Sequence, residues 1–118
     1  MNPIEVFQIL EHAHTQIKFW HQQTESYAEH MALNGFYEGI SPLADSIRES
    51  VIEVCEKVNI DFGMRFKAYQ PGCVKKYLEY FKKKITELQS QTDETDIINT
   101  LDEVKALTNK TLYLLGRK

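Results

Sequence analysis

An all-α four-helix bundle is the fold class this sequence predicts, and three observations predict it. Four segments repeat apolar residues at three- and four-residue spacings. Helix-start signatures precede these segments, and no stretch alternates convincingly at the strand period of two. No internal repeat of solenoid period occurs, so four helices around one core are the economical arrangement. With 118 residues the chain is read as one domain, residues 1–118, long enough to bury a core of its own.

Asn2, Pro3 and Glu5 read as an N-cap, a first-turn proline and the carboxylate of a capping box, so the first helix starts at the terminus and runs to about Gln23. Val6, Leu10, Ala13, Ile17, Trp20 and Thr24 share one angular sector of it, with His14 and His21 on the border and leaning inward. Ser26 with Glu29 forms a second capping box and opens helix two, whose stripe is Tyr27, His30, Leu33 and Tyr37. Gly35, Gly39 and Ser41-Pro42 interrupt that stripe, and the proline predicts a kink or short break, because it removes a helical hydrogen bond and clashes with the preceding turn. Leu43, Ile47, Val51, Val54 and Val58 resume it as far as Asn59.

Residues 60–72 carry Gly63 and Pro71-Gly72 and read as a connection, with one short helical turn around Met64 to Tyr69. Helix three is expected from about Cys73 to Gln89 on the seam Val74, Leu78, Phe81, Ile85 and Leu88. Asp93 is expected to cap helix four, which carries Ile97, Leu101, Val104, Leu107 and Leu114 and stops at Gly116.

Composition narrows the function classes. Apolar residues at 42% and charged residues at 26% are those of an ordinary globular chain. No apolar run approaches the ~20 residues that cross a bilayer, and Glu5 and Glu11 stand where a signal peptide would be apolar, so an intracellular, cytoplasmic protein without a membrane partner is expected. Cys55 and Cys73 stand far apart and outside any CxxC spacing; they are read as free thiols and given no role. A net charge of −3 argues against a surface built throughout for nucleic acid. Lys75, Lys76, Lys82, Lys83 and Lys84, with Arg117 and Lys118, leave a weak phosphate contact open beside the plainer reading of a solvated helix face. No nucleophile triad, phosphate-cradling glycine loop or zinc-finger spacing supports another enzyme class.

The segment from His21 to Glu49 holds the candidate chemistry. Ferrous iron takes imidazole nitrogen together with carboxylate oxygen, and His21, His30, Asp45 and Glu49 supply that set. Asp45 and Glu49, four apart, share one helical face that Ile52 and Glu56 continue. That face lies about 180° from the Ile47, Val51 and Val54 stripe, so the acids point away from the chain's own core. A site inside one bundle would want a Glu-x-x-His pair on each of two helices. Glu11 and His14 offer one pair, but Tyr27 stands three before His30, so a site shared between subunits fits better. His12 and His14 are weaker candidates, and Phe36, Tyr27 and Tyr37 read as core or interface aromatics.

In these residues the chain resembles the miniferritins, the Dps family of DNA-protecting proteins. That family places two histidines at the end of the first helix and the start of the second, and an Asp and a Glu four apart further along the second. The resemblance implies a ferritin-like bundle and assigns the metal-ligand roles to His21, His30, Asp45 and Glu49. It further implies a homo-oligomer that oxidises ferrous iron at a dimer interface, often with hydrogen peroxide, and stores the ferric product. The likeness spans about residues 10 to 57, and more loosely the helix from Asp93 to Leu115. The chain departs from the pattern in having Gln22 after the first histidine, with Trp20 before it, and a shorter turn between the helices. The same segment also looks like that of short helical proteins of this superfamily from bacteriophage and bacterial genomes. That likeness implies the alternative function, a non-enzymatic helical oligomer serving protein contacts or ligand sequestration on a ferritin-like scaffold.

Overall fold

The computed structural model describes residues 1–55 and 58–117. Among them are four α-helices and no strand: α1 (Pro3–Gln23), α2 (Tyr27–Val54), α3 (Cys73–Gln89) and α4 (Thr95–Leu115). Glu56 and Lys118, which the sequence reading included in a helix face and a basic tail, lie outside the described residues.

The expected first cap forms, with Asn2 Oδ1 accepting from the amides of Ile4 at 3.0 Å and Glu5 at 3.4 Å. Ser26 Oγ caps α2 by accepting from Glu29 N at 3.2 Å. The cap expected at Asp93 does not form. Glu94 is the N-cap of α4 without a side-chain bond, and its own amide donates to Thr92 Oγ1 at 3.1 Å.

α2 runs unbroken through Pro42, so the expected short break is absent. The proline deprives the carbonyl four residues back, that of Glu38, of its donor. Both Pro42 and Glu38 are exposed, so water can serve that carbonyl and the apolar stripe on the opposite side holds the helix together. The helix stops at Val54 with Cys55 as C-cap, short of the Asn59 expected. Val54, at 52% exposed, and Tyr27, at 77%, are surface residues rather than core members.

Each helix lies against two others in the ring α1–α2–α4–α3. The turn at residues 24–26 makes α1 and α2 antiparallel, and the turn at 90–94 does the same for α3 and α4. α3 antiparallels α1: Tyr77 meets Trp20 and His12, while Phe81 lies with Gln8 and Ile9. Val51 and Val54 share a cleft with Ile97 and Gly39 abuts Leu107, so α2 and α4 also run antiparallel. A methyl group at Gly39 would stand 3.0 Å from a Leu107 methyl carbon, so the glycine lets Leu107 pack close without shifting. Phe36 and Phe81, both fully buried, meet edge-on across the diagonal at 6.0 Å.

This ring requires the chain between α2 and α3 to travel the length of the bundle. Its described residues from 58 onward form an extended strap, and the helical turn expected around Met64 to Tyr69 does not form. Alternate strap residues fasten to α1 in parallel register. The Arg65 carbonyl pairs with His12 Nε2 at 2.7 Å, Lys67 N donates to Gln16 Oε1 at 2.8 Å, and Tyr69 N donates to Gln23 Oε1 at 2.8 Å. The Lys67 carbonyl accepts twice, from Gln16 Nε2 at 3.0 Å and from the Trp20 indole at 2.8 Å. A helical turn would have satisfied those backbone groups locally; side chains of α1, of which Gln16 and Trp20 are buried, satisfy them instead.

Candidate functional site

His21 is in the last turn of α1 and His30 in the first turn of α2, so the three-residue connection places both imidazoles at one end of the bundle. Their rings stack at 4.1 Å between centroids with 26° between planes. His30 Nδ1 lies 2.7 Å from the His21 carbonyl, and His21 Nδ1 lies 3.2 Å from the Lys18 carbonyl. A carbonyl only accepts, so each Nδ1 carries the proton and each neutral ring keeps its lone pair at Nε2. Metal-binding histidines are commonly oriented by such a bond on the other nitrogen. His21 is 8% exposed, which bears out its inward lean.

The carboxylates stand elsewhere. Asp45 and Glu49 are both exposed, as their angle to the core stripe implied. Asp45 lies fifteen residues beyond His30 on the same helix, about 22 Å along its axis at ~1.5 Å per residue. The four candidate ligands therefore do not converge within one chain, and among the described residues no group of three or more His, Cys, Asp or Glu side chains is placed to hold a metal ion. Asp45 Oδ1 is engaged by Arg48 at 2.7 Å, and the same guanidinium reaches Glu11 Oε1 at 3.6 Å. Glu49 forms no ion pair among the described residues.

Between the two ends runs a ladder of side chains that joins α1 to α2. Tyr37 lies edge-on to His21 at 4.9 Å and to His14 at 6.0 Å, and His14 Nδ1 lies 3.6 Å from Glu11 Oε2. Glu11 then leads to Arg48 and so to Asp45. Sequence reasoning treated Tyr37 as a packing aromatic and gave Arg48 no part. The spacing held the signal, since residues 30, 37 and 48 recur at seven and eleven on one α-helical face. Glu29, next to His30, was read only as a capping residue; its Oε1 is buried with no hydrogen-bond partner.

His12 sits on the other side of α1 and is occupied at both nitrogens. Nε2 donates to the Arg65 carbonyl, and Nδ1 accepts from the Tyr77 hydroxyl at 2.6 Å. Its ring stacks on Phe66 at 5.0 Å. It is a structural clamp for the strap and has no lone pair left for a ligand. Cys55 and Cys73 are both free thiols, and burial pushes the Cys73 thiol up from its ordinary pKa. No described helix is long and apolar enough to cross a membrane.

Residues 21–115 match a family of unknown function, DUF5856, and the chain belongs to that family. No curated protein and no solved structure matches it.

Proposed function

We propose that this DUF5856 member is a miniferritin-like, ferritin-related homo-oligomer that takes ferrous iron between subunits and oxidises it in the cytoplasm. The observation that carries the reading is the stacked imidazole pair, each ring oriented through Nδ1 and left with an Nε2 lone pair. His21 and His30 of one protomer supply nitrogen, and Asp45 and Glu49 of its partner supply oxygen. A two-fold dimer laid along the α1–α2 face sets the histidine end of one chain against the acidic end of the other and creates two equivalent sites. The bundle's single lengthwise crossover agrees with this reading, because ferritin-like bundles have one such connection. A bend of α2 at Pro42 belongs to it as well, setting the angle at which Asp45 and Glu49 meet the partner.

In this reading the iron is the substrate. The neutral imidazoles bind it, the carboxylates offset the extra positive charge of the ferric product, and the electron passes to peroxide or dioxygen. Arg48 must release Asp45 as the dimer forms, leaving its guanidinium to Glu11.

That requirement also favours a second reading. If Asp45 stays with Arg48, the bundle is a non-enzymatic helical module, of the kind bacteriophage genomes encode, that uses the scaffold for protein contacts or ligand sequestration. Contact with nucleic acid through the lysines of α3 is no part of either reading.

Native mass measurement before and after anaerobic ferrous loading tests the first. The expected result is a dimer or larger assembly that takes up iron, with uptake and oxidation lost in the His21→Ala/Asp45→Ala double variant while helicity is retained. A monomer that takes up no iron, or a melting temperature unmoved by ferrous ion, leaves the scaffold reading.

A further inference from the structure

The strap leaves a groove of about 830 Å³ between itself and α3, with α1 as its floor. Small-molecule sites span about 300–1,000 Å³. The charge of this groove is one-sided. Arg65 and Lys67 from the strap and Lys76 from α3 line it, and no Asp or Glu among the described residues does. The chain as a whole holds 17 acids against 14 bases, so a lining without acids runs against its composition. None of the three cations enters an ion pair among the described residues. Like charges around a concave, partly apolar wall repel one another and focus their field on any anion that enters.

The floor restricts what that anion can be. The Trp20 indole N–H, the Gln16 amide and both nitrogens of His12 are spent within the protein, the last on the Tyr77 hydroxyl and the Arg65 carbonyl. The base of the groove therefore offers aromatic surface with its hydrogen-bonding groups already satisfied, and polar recognition falls to the cationic rim. Tyr80, on the same wall, is 56% exposed; Tyr77 lies 6.4 Å from it between centroids and Lys84 Nζ lies over its ring at 5.6 Å, so it adds an exposed aromatic edge with a further cation beside it. A flat ring joined to an anionic group matches this division into stacking floor and charged rim.

We propose that this groove binds a mononucleotide, with the base against Tyr80 and Tyr77 and the phosphates on Arg65, Lys67 and Lys76. A nucleic-acid strand shares the base and phosphate chemistry. Strand-binding channels, however, string several aromatic platforms along a basic track, whereas here Tyr80 is the one well-exposed ring among the lining residues and the chain is acidic overall. The site is separate from the histidine pair and stands whatever that pair binds.

The test uses the chain's single tryptophan, Trp20, as reporter, with calorimetry in parallel so that silent fluorescence is not mistaken for absence of binding. The probes are ATP, AMP, adenosine, tripolyphosphate and a short oligothymidine. Saturable ATP binding is expected, weakened at least about tenfold in Lys67→Gln/Lys76→Gln and in Tyr80→Ala, with adenosine and tripolyphosphate each far weaker than ATP. All three substitutions fall on exposed side chains, so folding is retained and checked by circular dichroism. Absence of saturable ATP and AMP binding overturns the proposal, and binding undiminished in the double variant overturns its location. Tripolyphosphate binding as tightly as ATP removes the base from the site, and oligothymidine binding more tightly than ATP replaces the mononucleotide with a strand.

Discussion

The two sides of α1 treat their histidines differently. Toward α3 and the strap, His12 is bonded at 2.6 and 2.7 Å through both nitrogens and stacked on Phe66, and its neighbours Gln16 and Trp20 are likewise spent on strap backbone. Toward α2, His21 and His30 each spend one nitrogen on a carbonyl and keep the other. A histidine that closes a structural network has no valence left for a ligand, whereas one that is only oriented keeps a lone pair in a fixed direction. Distinguishing the two takes both nitrogens' partners, not burial or position on the wheel.

The contrast is sharpest in stability. His12→Ala removes two hydrogen bonds and a ring stack and strands the partly buried Tyr77 hydroxyl, so a loss of about 2–3 kcal/mol is expected in urea unfolding. His30→Ala in metal-free protein loses one hydrogen bond and the stack on His21 but strands no side-chain partner, so a smaller cost of about 1–2 kcal/mol is expected. Equal losses would erase the distinction between clamp and ligand.

The strap side should also govern behaviour at high pH. Burial holds the Tyr77 phenol well above its ordinary pKa, so the folded state keeps a proton that the unfolded chain releases above about pH 10. Because the folded pKa is raised, this contribution is fully present below pH 10 and is lost as pH rises toward the folded value. The loss is at most about 1.4 kcal/mol per pH unit. Urea midpoints from about pH 9 to about pH 11 should fall less steeply in Tyr77→Phe than in the parent chain.

The smallest effect belongs to the open face. Arg48→Gln breaks the pairs with Asp45 and Glu11, but Asp45 is exposed and Glu11 partly so, so stability should change by less than about 1 kcal/mol. Iron uptake in that variant should persist or improve, because Asp45 is freed. A large loss of stability would make the ladder structural, like the strap.

Much of the fold was legible because its causes are local. The Asn2 and Ser26 caps and the seam Val74, Leu78, Phe81, Ile85 and Leu88 depend on residues three or four apart, and all of those seam residues are buried. The outward direction of Asp45 and Glu49 followed from the same periodicity. Where a distant partner overrode local preference, the reading failed. Met64 to Tyr69 became an extended strap because Gln16, Trp20 and Gln23, some fifty residues earlier, take up its backbone groups. α2 crossed Pro42 because the lost hydrogen bond falls on exposed Glu38 while the opposite side stays packed.

By itself, then, the sequence determined four amphipathic helices, their approximate ends and most of the residues each turns inward, Tyr27, Val54 and Leu114 excepted, since periodicity and capping are encoded within a few residues. Tertiary structure alone decided that His12 is consumed while His21 and His30 keep a free nitrogen, that Arg48 reaches across to Glu11 of α1, and that an acidic chain has a groove lined, among the described residues, with cations and no acids. Those outcomes depend on which atoms meet across the bundle, and pairing over long sequence separations is chosen by unsatisfied hydrogen-bonding groups and packing rather than by local pattern.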